Sequence, residues 1–366
     1  MPSDSPLKPL YEASTQFRNW RFSHARLNQI RSTLNDAAVS VIRTTFEAYE
    51  VEFSCFPARV VAQCLQPGSS ANVTFLTADE ELLLVTFYAT MITQICGRFR
   101  FPEEVEATAV SYLKRFYLKN TVMDWHPRNV MLTALFLATK TTNNPISLEA
   151  YTSHIPKTSA SDVLDLEFLV AQSLRFEFAV WHAHRALWGI WLDIQSLPDT
   201  PPDFATTQSN IYDIALTHVR ASRLTDAELI YTPSQIALAA LHLAAPDIAK
   251  KWLQSKDDTL PRSGSEPPGI LASVEGIQEL IAKSGHVPDV EAVREVDRRL
   301  KLCKNPEKVV GSKAYLAKKA EEDKKAEDKR SRKANDTAVV DPFGDALERP
   351  KPGLVDYDDD DDDDDD

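Results

Sequence analysis

The chain has 366 residues, 43% of them hydrophobic, and a formal net charge of −13. That length accommodates two cores plus extensions, and only 10 glycines argues against sheet-and-turn architectures, which use glycine in turns and bulges. Much of the acidic excess sits in the run Asp358 to Asp366, so the body is only mildly acidic and lacks the positive field that grips nucleic acid.

Residues 1–13 are proline-rich and polar; Ser5-Pro6 there is a bare proline-directed phosphorylation signal, better read as having no function. From Ser23 a helical pattern begins, with Leu27, Ile30, Leu34, Ala38, Val41 and Ile42 at three-to-four spacing. Pro57, Pro67 and Gly68 then break the chain. Thr77-Ala78-Asp79-Glu80 has the form of a capping box and opens a helix from Leu82 to Cys96, nearly apolar all round and therefore central. Gly97 is placed to end it. Pro102 starts a second helix running to about Tyr117. A third starts at His126-Pro127, with proline at the first helical position, and ends near Lys140. Asn143, Asn144 and Pro145 form a loop. Further helices read at about 147–153 and 160–174, and Pro198, Pro201 and Pro202 mark a linker.

After the linker the pattern restarts. Leu118 to Thr139 falls without a gap on Leu224 to Ala245, 106 residues later: Pro127 meets Pro233, Trp125 meets Tyr231, and Ala134-Leu135 meets Ala240-Leu241. This register predicts an internal duplication of a helical domain. Lys140 meets Pro246, so the lysine belongs to the first copy alone; it is either a solvated residue favoured by the helix dipole or a group with a function. A last amphipathic helix reads from Val290 to Cys303, with Val290, Val293, Val296 and Leu300 as its stripe. Residues 313–333 have helical composition without an apolar stripe, and beyond Ala334 the composition predicts disorder.

The search for chemistry gives little. There is no glycine-rich phosphate loop, GxSxG elbow, HExxH or zinc ribbon. His182 and His184 lack a nearby Cys or carboxylate and read as packing residues, and Glu167 and Glu177 carry no second sign of paired-carboxylate catalysis. Cys55, Cys64, Cys96 and Cys303 are scattered and read as reduced, inert thiols. No run approaches about 18 uninterrupted apolar residues and no signal peptide is visible, so a soluble intracellular protein is expected. What remains is interaction surface: Leu174-Arg175-Phe176-Glu177-Phe178 sets two aromatics among charged residues just past a helix end, suited either to core lining or to a partner.

Leu113 to Asn120, Val122-Met123, His126-Pro127-Arg128 and Met131 to Lys140 together resemble the first cyclin box of the cyclin H family. Leu229 to Leu238 resembles its second box, and Ser14 to Ser23 resembles the family's N-terminal segment. The resemblance covers roughly residues 12–285. It implies an all-α fold of two tandem five-helix cyclin-box repeats with N- and C-terminal flanking helices and a disordered acidic tail. The boundaries expected are 1–70 (N-terminal extension with a long helix), 71–180 (first box), 181–203 (linker), 204–285 (second box), 286–304 (C-terminal helix) and 305–366 (charged tail).

The family implies a regulatory, non-catalytic subunit that binds and activates a cyclin-dependent kinase in the nucleus. The assembly, the CDK-activating kinase (CAK), includes a RING-type assembly factor and joins the TFIIH core; it phosphorylates other cyclin-dependent kinases and the RNA polymerase II tail. No cofactor, metal, direct nucleic-acid contact or membrane is implied. Carried over by position, Lys140 and Glu167 match a buried Lys–Glu pair, and Leu137, Phe176 and Phe178 match apolar positions facing the kinase. The chain departs from the family pattern after Lys140, where Thr141-Thr142-Asn143-Asn144 replaces an acidic cluster. The readings set against this one are another transcriptional cyclin with a different kinase, and a TFIIB-like DNA-binding transcription factor.

Overall fold

The structure, a computed structural model, describes residues 10–49, 73–198, 200–257 and 269–337. Ser5-Pro6, Pro57, Pro67, Gly68, Cys55, Cys64 and the Asp run lie outside the described residues, which contain helices and no strand. By its internal contacts the chain divides into a unit ending at Tyr315 and a second one from Leu316.

In the first unit a short helix α1 (Thr15–Asn19) precedes the long α2 (His24–Tyr49). The first repeat follows as α3 (Ala78–Phe99), α4 (Glu103–Phe116), α5 (Pro127–Thr141), α6 (Leu148–Ser153), α7 (Ser161–Leu164) and α8 (Glu167–Ser173). Helix α5 is its axis and touches α3, α4, α7 and α8. Leu132, Ala134, Leu135 and Ala138 on α5 are fully buried with Leu84, Ile92, Leu113, Phe116 and Val170. Each large apolar side chain so buried contributes roughly 1.5–3 kcal/mol.

The second repeat is α9 (Ala183–Gln195), α10 (Phe204–Thr207), α11 (Ser209–Ser222), α12 (Ala227–Ile230), α13 (Pro233–Ala244), α14 (Pro246–Asp257) and α15 (Ile270–Ser284). Helix α13 is its axis, touching α9, α11, α14 and α15. Both axial helices begin with proline at the first position, capped by His126 and Thr232 respectively. The 106-residue register also carries α4 (from Glu103) onto α11 (from Ser209), further back than the sequence comparison reached. α16 (Val290–Leu300) then returns to the first core through Val293, Val296 and Leu300, whereas Val290, expected in the same stripe, is exposed at the first position of the helix.

Local chemistry explains the ends. Thr77 and Glu80 form the expected capping box. Gly97, however, lies inside α3, and the left-handed residue that closes the helix is Arg100 (φ 55°), with Phe101 N–H donating to Cys96 O. α3 is long and apolar enough to cross a membrane by length and composition alone. Here Leu84, Val85, Ala89 and Ile92 are buried in the first core.

Three further expectations change. The segment 160–174 is two helices, α7 and α8, separated by a turn at Asp165-Leu166, while Val163 and Val170 both stay buried. The stretch 181–203 is largely not a linker: α9 fills most of it, because Leu187, Ile190, Trp191 and Ile194 form a helical stripe that enters the second core ahead of Pro198. Within 305–366, a 3₁₀ turn spans Pro306–Lys308 and α17 spans Lys313–Thr337. The part of α17 in the second unit is polar and carries an i,i+4 pair, Lys325–Glu321.

The two repeats meet through charge as well as apolar contact. Glu103 and Glu106 on α4 face Arg220 on α11 and Arg223 at its C-cap, with Arg223 lying 2.6 Å from Glu103 and 3.1 Å from Glu106. Arg31 on α2 grips Asp226 through two hydrogen bonds of 2.7 and 2.6 Å. A small cluster of Trp20, Leu27, Leu118 and Leu229 draws on the N-terminal segment and both repeats.

Candidate functional site

Lys140 sits in the last turn of α5 and Glu167 opens α8, each at the helix end whose dipole favours its charge. Lys140 Nζ lies 2.5 Å from Glu167 Oε1 and 4.5 Å from the centroid of the Phe136 ring. The pair forms as expected but is not buried: its side chains are 41% and 27% exposed. At the mouth between α5 and α8 the ions therefore keep contact with water.

The aromatic residues divide. Phe176 is 56% exposed, whereas Phe178 is half-buried against the first core, with its carbonyl accepting from Tyr112 Oη at 2.7 Å. Leu137 is 6% exposed and belongs to the core, so in the isolated chain it offers little surface. The Phe176 ring lies 6.3 Å from Phe178 and 6.2 Å from Phe168, which is 71% exposed. Phe168, Phe176 and Phe178 therefore form a continuous ladder beside the ion pair, with Leu164 exposed on α7. Sequence reasoning missed Phe168. The available signal was its place next to Glu167 and off the stripe of Val163, Val170 and Leu174, all fully buried.

The loop carrying Phe176 has a definite cause. Arg175 (φ 56°) is left-handed, Phe176 N–H donates to Ala171 O at 2.9 Å, and Arg175 N–H donates to Gln172 O at 2.9 Å, which caps α8 by a Schellman motif. The sequence Thr141-Thr142-Asn143-Asn144 performs the same task for α5. Asn143 (φ 58°) is left-handed and Asn144 N–H donates to Thr139 O at 2.8 Å. Where the family resemblance led one to look for acids, this chain has a helix cap.

The other titratable candidates are engaged structurally. His182 and His184 stack at 5.2 Å, and His182 Nε2 lies 2.9 Å from Thr108 Oγ1. Burial holds His182 far below the usual histidine range, and burial followed by the Arg223 charge brings His184 down to about 4. Among the described residues no group of three His, Cys, Asp or Glu could hold a metal ion. Glu177 accepts from Asn19 Nδ2 and Trp20 Nε1, each at 2.6 Å. Burial raises Cys96 to about 12 and Cys303 to about 11, which keeps both thiols protonated.

The face presents exposed aromatic area beside a solvent-accessible ion pair, which is what an interface anchor requires. Against known families, residues 81–179 match the cyclin N-terminal domain and residues 182–282 the cyclin C-terminal domain. The cyclin mcs2 of Schizosaccharomyces pombe is 29% identical over 330 residues, covering 90% of this chain and 96% of mcs2. The putative cyclin-H of Dictyostelium discoideum is 30% identical over 240 residues, covering 64% of this chain and 75% of that protein. Among solved structures, a chain of the Chaetomium thermophilum CAK complex bound to ATP-gamma-S superposes with a TM-score of 0.69 at 25% identity, covering 93% of this chain and 98% of that one. A chain of the yeast TFIIK (Kin28/Ccl1/Tfb3) complex gives 0.56 at 27% identity, covering 74% and 100%.

Proposed function

This chain belongs to the cyclin H family, and from that premise we propose that it is the regulatory subunit of a cyclin-dependent kinase of the CAK type, docking through the first repeat. The observation that carries the docking face is the exposed pair Phe168 and Phe176, backed by half-buried Phe178, beside Lys140–Glu167. The similarity to chains of the CAK and TFIIK complexes supports the reading of a kinase partner.

A kinase needs the ion pair between its β3 lysine and αC glutamate, together with a positioned activation loop. On this reading the chain supplies no reacting atom. It binds the kinase conformer with the αC helix inward more tightly than the other, and that difference in affinity is the activation free energy. Moving the kinase from 1:99 to 99:1 takes roughly a 10⁴-fold preference, about 5.5 kcal/mol. Phe168 and Phe176 bury apolar area against the kinase, Phe178 and Leu137 back them from the core side, and Lys140 and Glu167 brace the mouth of α5 and α8. Covering that mouth would desolvate the ion pair, giving it the buried state expected for the family. A RING-type assembly factor, the TFIIH core and a nuclear location are part of the same proposal; a complex of Kin28, Ccl1 and Tfb3, with three named subunits, supports it.

The test is recovery of the tagged full-length chain from its source cells, with mass-spectrometric identification of the bound kinase, followed by titration of that purified kinase. Phe176→Ala and Glu167→Ala should each weaken binding by about 2 kcal/mol or more and lower phosphotransfer in parallel. Unchanged affinity and activity in both removes the docking face. Phosphotransfer by the chain alone would remove the non-catalytic role.

A further inference from the structure

Phe176 has a backbone conformation that its helix cap does not explain. A Schellman motif needs one left-handed residue, and Arg175 is that residue. Phe176 is a second, at φ 58°, and a bulky side chain there is a genuine outlier. Such strain costs roughly 1–3 kcal/mol and persists only where the surroundings over-determine it. Glu177 N–H donates to Leu174 O at 3.0 Å, closing a turn over Arg175 and Phe176 that accommodates two left-handed residues but does not remove the cost of a bulky side chain at the second.

Residues 177–181 are also held from far away in sequence, with Tyr112 Oη donating to Phe178 O at 2.7 Å from within the first repeat. The Glu177 carboxylate accepts from Asn19 Nδ2 and Trp20 Nε1, both at 2.6 Å. Trp20 is 1% exposed and has the guanidinium of Arg115, itself 1% exposed, over its ring at 5.1 Å. Four residues further on, both backbone groups of Trp181 pair with one side chain. Trp181 N–H donates to Gln16 Oε1 at 2.6 Å, and Gln16 Nε2 donates to Trp181 O at 3.3 Å. Gln16 is 3% exposed. The same N-terminal segment is tied to the second repeat, with Phe22 N–H donating to Leu229 O at 2.7 Å and Arg21 Nη2 to Ile230 O at 3.0 Å.

We infer that Gln16, Asn19 and Trp20, acting on Glu177 and Trp181, are positioning residues that hold Phe176 in its outward, left-handed pose. The segment 14–22 is thereby a clamp that makes the docking face depend on the second repeat being in place. This inference rests on the reading of the Phe176 face as the kinase-binding surface. None of the clamp residues needs to touch the partner. Their effect is to remove the loop's freedom before binding, which raises apparent affinity by the fraction of chains already in the competent pose.

The experiment uses the full chain and the kinase recovered with it from its source cells. Asn19→Ala and Glu177→Ala should each weaken binding of that kinase about tenfold, and the double variant should be no worse than Glu177→Ala, which already removes the Asn19 contact together with that of Trp20. In the free chain, amide exchange at Phe176 and Trp181 should speed up at least tenfold, while exchange on α5 and α13 stays at the parent rate. Arg175→Gly relieves left-handed strain in the same loop, so placing it on Glu177→Ala should restore most of the lost affinity. Additive losses, or unchanged exchange at Phe176 in both single variants, overturn the clamp. If Phe176→Ala weakens binding while Glu177→Ala does not, the clamp fails and the docking face stands. If Phe176→Ala binds like the parent, the docking face fails, and the exchange rates of the free chain still decide whether the clamp holds the loop.

Discussion

Arg220 on α11 places Nη2 2.6 Å from Glu103 Oε2 on α4, joining the second repeat to the first. Burial alone would raise the Glu103 carboxyl; the Arg220 hydrogen bond and the Arg223 charge outweigh it and hold the group at about 2, against an ordinary value of 4.5. The folded value lies below the unfolded one, so the stabilisation is complete above pH 4.5 and disappears as the pH falls from there toward 2. Glu103→Gln should cost about 1 kcal/mol at pH 7, given solvent screening. Urea denaturation should show the gap to the parent narrowing steadily as the pH falls from 4.5 toward 2. A gap independent of pH would refute the assignment.

His184 moves stability in a second window. In the unfolded chain it takes a proton near 6.5, while burial and then Arg223 hold the folded group at about 4. The unfolded state therefore binds more protons between these values, and stability falls as the pH drops from 6.5 to 4, at no more than about 1.4 kcal/mol per pH unit for one group. His184→Gln should flatten the thermal midpoint over that range. His182 and His218, which burial shifts in the same direction, contribute to the residual slope.

Lys140→Ala should separate stability from binding. An ion pair 41% and 27% exposed contributes about 0–1 kcal/mol to the isolated chain. Once a partner excludes water, removing one member leaves a buried charge unpaired, at about 2 kcal/mol or more. Thermal unfolding of the free chain should barely change while the kinase dissociation constant rises about thirtyfold. Equal losses in both measurements would show that the pair acts within the fold only.

Trp20→Ala should be severe. The side chain is 1% exposed between Arg115, Leu118 and Leu229, so truncation opens a cavity and costs about 3–5 kcal/mol. Trp20→Phe keeps much of the packing and removes the indole donor to Glu177; by denaturant titration it should cost clearly less.

Cys96 and Cys303 should resist alkylation in the native state. Both are at most 2% exposed and carry raised thiol pKa values. Iodoacetamide labelling followed by peptide mapping should modify them only after denaturation; rapid native labelling of either would contradict the packing.

The features legible in the sequence are those fixed over a few residues. The capping box at Thr77, the prolines that start α5 and α13, and the stripe of α16 act through contacts three or four positions apart, and all three appear in the structure. The duplication was readable because two axial helices with the same neighbours need the same spacing of small and large residues. Local signals failed where several residue types serve one role: Arg100, not Gly97, takes the left-handed position that ends α3, and proline-marked turns hid the core stripe of α9.

By itself, then, the sequence determined an all-helical, duplicated chain and the residues whose types suit an interface, because periodicity and caps are local. Tertiary structure alone decided which of those residues face water. Leu137 turned inward, Phe168 turned outward, and the ion pair stayed half-exposed, because exposure depends on what other elements cover. It also joined Trp20 to Glu177 across 157 residues, a pairing that no spacing rule contains.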